Sequence, residues 1–179
     1  ILKLSYLLKK NLKKKNYEVI FVDDNSPDNS FKEFKKIKYK NFKFLSRNKK
    51  RDLSKSCIEG IKISKFENIV IMDGDLQHPP SCLFNMMNYY EKIKPSILVG
   101  VRKFSNLEGL NILRKFTSLL LIFLINITLE KRTEDPMSGF FIIKKKKFLE
   151  VERKLYKKGF KILCDSLHGY YLVINFFSL

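Results

Sequence analysis

Asp73-Gly74-Asp75-Leu76-Gln77-His78-Pro79-Pro80 is the stretch that decides how this chain of 179 residues is read. It follows the apolar run Ile69-Val70-Ile71-Met72, which has the length and composition of a buried strand, and it precedes a helix predicted to begin near Ser81. A loop at the carboxyl end of a strand is where open α/β sheets collect ligands, because strand tips and helix starts converge there on one crevice. Two carboxylates separated by one small residue, with an amide oxygen two positions on, form a compact set of hard oxygen donors suited to Mg2+ or Mn2+. Asp73, Asp75 and Gln77 are the candidate metal ligands, and such a set leaves positions open for a nucleotide diphosphate. The same triplet also fits an ordinary acidic turn, so the rest of the chain has to separate the two readings.

Upstream, Tyr17 to Val22 is a strand by its β-branched and aromatic content, followed by Asp23-Asp24-Asn25-Ser26-Pro27-Asp28-Asn29-Ser30. Consecutive carboxylates at a strand end repel unless a cation or a hydrogen-bond donor meets them. An Asx-type turn and a ligand contact both answer that demand. Ser30 is the expected cap of a helix over 31–38. Phe42 to Leu45 is the next strand, residues 47–51 form a cationic loop, and Leu53, Cys57 and Ile61 space out a helix. Ile1, Leu4, Leu8 and Leu12 share one face of an opening helix that should pack on the sheet.

Downstream, Leu83, Met86, Met87, Tyr90 and Ile93 recur at helical spacing and predict a core-facing stripe rather than a cofactor box. His78 has no second histidine nearby, which favours a hydrogen-bonding role over metal ligation. Ser96 to Val101 predicts a strand ending in Arg102, whose guanidinium either grips a phosphate bidentately or is simply solvated. The apolar run over 116–129 is shorter than the ~20 residues a helix needs to cross a bilayer. With Arg114 and Lys115 at its start it reads as a helix lying in a membrane interface, the alternatives being a buried helix or a strand-like run. In Asp135-Pro136-Met137-Ser138-Gly139-Phe140, the proline and glycine set a tight loop that leaves Asp135 and the Ser138 hydroxyl to address substrate.

Lys+Arg 36 against Asp+Glu 18 gives a formal charge of +18, which favours anionic partners. Nucleic acid is not among those expected: lysines are spread through nearly every segment, and no zinc-finger, RNA-recognition or basic-plus-heptad pattern occurs. Cys57, Cys82 and Cys164 are odd in number and widely spaced, so each is expected as a small core residue in a reducing compartment. No secretory signal is seen at the start.

Together the segments around 23–30, 51–54, 73–80, 100–102 and 134–141 resemble the motifs of family-two glycosyltransferases, and most closely the group of dolichol-phosphate (polyprenyl-phosphate) mannose synthases. The resemblance implies an α/β fold: a GT-A-like, Rossmann-type sandwich with a mostly parallel central sheet. It also implies that the first strand and its nucleotide loop are missing, so the expected layout is an amino-terminally truncated catalytic domain over 1–165 and an apolar tail over 166–179. It assigns Asp23, Asp24, Arg51 and Asp73 to the nucleotide, and Arg102, Arg114 and Ser138 to the lipid phosphate. Asp75, Arg102 and Arg114 would carry the chemistry. Two departures stand out, Asp52 where the family has glycine and Val101 where it has serine.

The implied activity is metal-dependent, inverting transfer of mannose from GDP-mannose to a polyprenyl or dolichyl phosphate. The enzyme would sit at the cytoplasmic face of a membrane, with an anchoring segment or subunit as a further expectation. The alternatives are another family-two transferase, for instance one using UDP-glucose, and a truncated non-catalytic protein of the membrane surface.

Overall fold

The structure, a computed structural model, describes residues 1–13, 15–76, 78–100, 139–156 and 171–176. Its centre is one sheet built from β1 (Tyr17–Asp23), β2 (Phe42–Ser46), β3 (Asn68–Asp73), β4 (Ile97–Val99), β5 (Phe141–Lys144) and β6 (Tyr171–Phe176). Helices α1 (Leu2–Asn11), α2 (Ser30–Lys35), α3 (Leu53–Ile63), α4 (Pro80–Ile93) and α5 (Lys145–Tyr156) connect and cover it.

The strand order is β2-β1-β6-β3-β5-β4. β1 and β2 pair in parallel, β6 is antiparallel to both β1 and β3, and β5 is antiparallel to β3 and β4. Strands β1 to β4 therefore share one direction, as in the α/β sandwich the motifs implied, but β5 and β6 run against them and lie between them, so four of the five neighbouring pairs among the described residues are antiparallel. Among the described residues, β1 and β2 are the directly parallel neighbours.

Alternation along the strands divides the core into two layers. On one face, Val19, Phe21, Val70, Met72 and Ile142 meet Leu4, Leu8 and Leu12 at α1 and Leu83, Met87 and Tyr90 of α4. On the other, Ile20, Val22, Ile69, Ile71, Phe141 and Ile143 meet Cys57 and Ile61 of α3 and Phe148 of α5. β1 and β3 are apolar at successive positions because both of their faces are covered.

Several expectations need correction. Ile93 is 53% exposed, because α4 stops there: Lys94 turns left-handed at φ 51 and its amide closes on Tyr90 O at 2.7 Å. Cys82 is exposed on α4, whereas Cys57 is buried as expected. Ser30 is the first residue of α2 and does not cap it from outside. Asp28 supplies the acceptor instead, its Oδ1 taking the Ser30 amide at 3.0 Å and the Ser30 hydroxyl at 2.5 Å. The segment Tyr171–Phe176, expected as part of an apolar tail, is a strand bonded on both sides at the middle of the sheet. Its run Tyr-Leu-Val-Ile-Asn-Phe has the β-branched and aromatic content that such a strand favours. The interfacial helix expected over 116–129 lies outside the described residues.

Candidate functional site

Asp73 is the last residue of β3, and its side chain is 15% exposed. Beyond it the chain turns through Gly74 and the exposed Asp75 to Leu76, which takes a left-handed φ of 68. That conformation costs an L-residue with a large side chain roughly 1–2 kcal/mol. Packing of Leu76 against the core layer of α1 and α4 offsets it. His78 follows, 4% exposed, and then Pro79 in extended conformation leads into Pro80, which opens α4 where its missing amide is harmless.

The β3–β5 register pairs Ile71 with Phe141, and carried two residues further it sets Gly139 opposite Asp73. The approach is so close that a Cβ on Gly139 would lie 2.6 Å from Asp73 Oδ2 and 2.9 Å from Oδ1. Only glycine fits there without moving the carboxylate. His78 Nε2 lies 3.6 Å from the same Oδ2. The imidazole packs on Phe140, ring centroids 5.1 Å apart and planes inclined by 34°. Phe140 in turn lies against Gly100, where a Cβ would be 2.5 Å from Cδ1. The Gly100 amide donates to Phe140 O at 2.7 Å. His78, Gly139, Phe140 and Gly100, which belong to three stretches singled out separately in the sequence, thus come together beside the Asp73 carboxylate.

The ends of β1 and β2 form a second cluster. The Asp23 carbonyl accepts from the Arg47 amide at 2.9 Å, and its Oδ1 from the Ser26 amide at 3.2 Å. The Asp24 carboxylate is bound by Arg47 Nη1 through one oxygen and by the Asp52 amide at 2.5 Å through the other. Arg47 is 2% exposed and also reaches Ser56 Oγ at 2.9 Å, the Asp52 carbonyl at 3.2 Å and Glu59 Oε1 at 3.2 Å. Arg51 is exposed and donates to the carbonyl of Asn25 at 2.9 and 3.2 Å.

Asp52, where the family has glycine, caps α3 by accepting the Lys55 amide at 3.0 Å. Burial opposes ionisation of Asp52, but the Lys55 hydrogen bonds and the nearby Lys55 and Arg47 cations outweigh it and hold its carboxyl below the usual value. Glu59 is likewise lowered, its partial burial outweighed by Arg47 and Lys49.

Of the residues expected to bind nucleotide, Asp24 and Arg51 share this cluster, and the Asp24 carboxylate is committed to holding the two loops together. Asp23 and Asp73 end strands on either side of β6, where Tyr171 pairs with both Val22 and Asp73. Two strand spacings, about 10 Å, separate those tips. Gln77, Arg102, Arg114 and Ser138 lie outside the described residues.

Among the described residues no group of three His, Cys, Asp or Glu gathers as a metal cage. The β3 tip and the loop after it carry two carboxylates, Asp73 and the exposed Asp75, donors of the hard-oxygen type that Mg2+ and Mn2+ take. Arg47 was visible only as part of a cationic loop. The repulsion between Asp23 and Asp24 was the signal that could have singled it out, because it demanded a cation and Arg47 stands one residue past β2.

A sequence model described as glycosyl transferase family 2 matches residues 4–151. Over 159 residues the chain is 36% identical to a dolichol-phosphate mannosyltransferase of Pyrococcus furiosus, covering 85% of this chain and 44% of that protein. It is 29% identical over 168 residues to the protein of the same name from Mycosarcoma maydis, covering 85% and 52%. With that of Saccharomyces cerevisiae the identity is 31% over 162 residues, covering 86% and 58%. The chain spans about half the length of these curated relatives.

Proposed function

This chain belongs to glycosyl transferase family 2, and from that premise we propose that it transfers a mannosyl residue from GDP-mannose to a polyprenyl phosphate, at the cytoplasmic surface of a membrane and with inversion at C1. The observation that carries the reading is the meeting of three motif segments at Asp73: Gly139 against its carboxylate, His78 beside it, and Phe140 bridging to Gly100. The names of the relatives support the choice of mannosyl donor and lipid phosphate acceptor.

Asp73, Asp75 and Gln77 would hold Mg2+ or Mn2+. When bound, such an ion offsets the charge that develops on the donor diphosphate. Asp23, at the β1 tip about two strand spacings away, suits the nucleoside end of the donor, with Arg51 nearby. Asp24 serves that end indirectly by fixing the loop. Arg102, Arg114 and Ser138 would seat the acceptor phosphate.

A phosphate monoester is already ionised near neutral pH, so the protein has little need of a strong general base and works chiefly by alignment and charge compensation. A lone pair on the acceptor oxygen forms the new bond to C1, the old C1–O bond breaks, and its electron pair leaves on the β-phosphate of GDP. No helix among the described residues is long and apolar enough to cross a membrane.

The test is transfer to polyprenyl phosphate in Mn2+ with GDP-mannose and UDP-glucose in parallel. Selective use of GDP-mannose is expected. Asp75→Ala should lower the rate about 100-fold or more, since charge stabilisation of this kind is worth several kcal/mol. Retained activity in that variant would refute the metal assignment, and preference for UDP-glucose would refute the donor.

A further inference from the structure

We propose that His78 is a positioning residue for Asp73, holding its carboxylate in the orientation that receives a divalent cation; the inference rests on the metal reading above. The imidazole is almost fully buried, so it neither reaches solvent nor presents a face to a large substrate. Its Nε2 stands 3.6 Å from Asp73 Oδ2. That is longer than a direct hydrogen bond, but such contacts tighten once a site is loaded. The ring is held in place because Phe140 lies on it and is itself pressed against Gly100, with no room for a Cβ between.

Gly139 limits the same carboxylate through backbone: both Asp73 oxygens lie within 2.9 Å of where a side chain would start. Asp73 is therefore confined by an imidazole and by a glycine. Outer partners of this kind fix the direction of a ligating carboxylate and commonly matter 10- to 100-fold for metal affinity. His78 follows the acidic pair in the loop, yet its buried setting gives it the outer role and leaves the cation to the oxygen donors.

The experiment is titration with Mn2+ alone, followed through the electron paramagnetic resonance of the free ion, with thermal stability measured alongside. His78→Leu fills the space without a donor and should weaken Mn2+ binding about 10-fold. His78→Gln, which keeps an N–H at the reach of Nε2, should restore most of the loss, and His78→Asn, one bond shorter, should not. In an Asp73→Asn background His78→Leu should add little. If His78→Leu fails to fold, the contrast between Gln and Asn carries the same test.

Unchanged Mn2+ affinity in the folded leucine or asparagine variant would overturn the positioning role and leave the metal reading standing. A loss as large in the Asp73→Asn background as in the wild type would do the same. If the wild-type chain takes up no Mn2+, the metal reading falls and this inference falls with it.

Discussion

Replacing Arg47 by methionine tests whether the two loops that end β1 and β2 are held by one buried cation. The guanidinium is 2% exposed and faces Asp24, Glu59, Ser56 Oγ and the Asp52 carbonyl. The Asp24 side chain is 12% exposed. Without Arg47 its charge keeps, among the described residues, the Asp52 amide, in a setting where water cannot fully replace the lost partner. Breaking a buried pair by removing one member costs about 3–5 kcal/mol. For a domain of this size each kcal/mol lowers Tm by about 2–4 °C, so Arg47→Met should melt roughly 6–20 °C below wild type. That is a large share of the 5–15 kcal/mol that holds a typical domain together.

The reasoning can be separated from simple loss of packing by adding Asp24→Asn. Asparagine keeps an oxygen for the Asp52 amide but carries no charge to strand, so the double variant should recover at least about 1 kcal/mol relative to the sum of the two single changes. Urea unfolding followed by circular dichroism reads all four proteins. A single-variant cost below about 1 kcal/mol, or strict additivity of the pair, would show that the network contributes no more than an exposed ion pair does.

At the start of α3, Asp52→Ala should cost about 1 kcal/mol through loss of the cap on the Lys55 amide. The folded carboxyl titrates below its ordinary value, so its contribution is present above the unfolded carboxylate range near pH 4 and is lost as pH falls through the lower folded value. Denaturant midpoints recorded down the acid limb should therefore fall less steeply in Asp52→Ala than in wild type. Gly100→Ala places a Cβ 2.5 Å from Phe140 Cδ1; calorimetric unfolding should show a loss of about 1–3 kcal/mol, the usual result of overfilling a packed site. A neutral outcome there would mean that Phe140 is free to move off Gly100.

Local signals were enough to read β3, its acidic loop and α4, because an apolar run, two prolines and a helical stripe lie within 25 residues of one another. Leu4, Leu8 and Leu12 declared the buried face of α1 by spacing alone. Where α4 stops was not legible, since Ile93 keeps the apolar period while Lys94 already turns left-handed. β6 was hidden for a different reason. Its residues are as apolar as those of a surface-seeking tail, and what makes them a strand is pairing with β1 and β3, elements far away in the chain. Arg47 was not legible as the partner of Asp24, because the two stand 23 positions apart on loops that the β1–β2 pairing brings together.

The contact of Gly139 with Asp73 shows how the core sets the chemistry. The two residues are 66 positions apart, and no local pattern joins them. Pairing of Ile71 with Phe141 and of Val99 with Phe141 brings Asp73, Gly139, Phe140 and Gly100 to one place. That pairing is itself chosen by packing: Ile142 belongs to the layer of α1 and α4, and Phe141 and Ile143 to the layer of α3 and α5. A slip of one residue between β3 and β5 would turn each of these side chains to the opposite face and set Phe140, not Gly139, opposite Asp73. The carboxylate would then meet a ring where it now meets bare backbone. The two apolar layers thus determine which residue may touch Asp73, and the glycine of one motif is required by the aspartate of another through the register they impose.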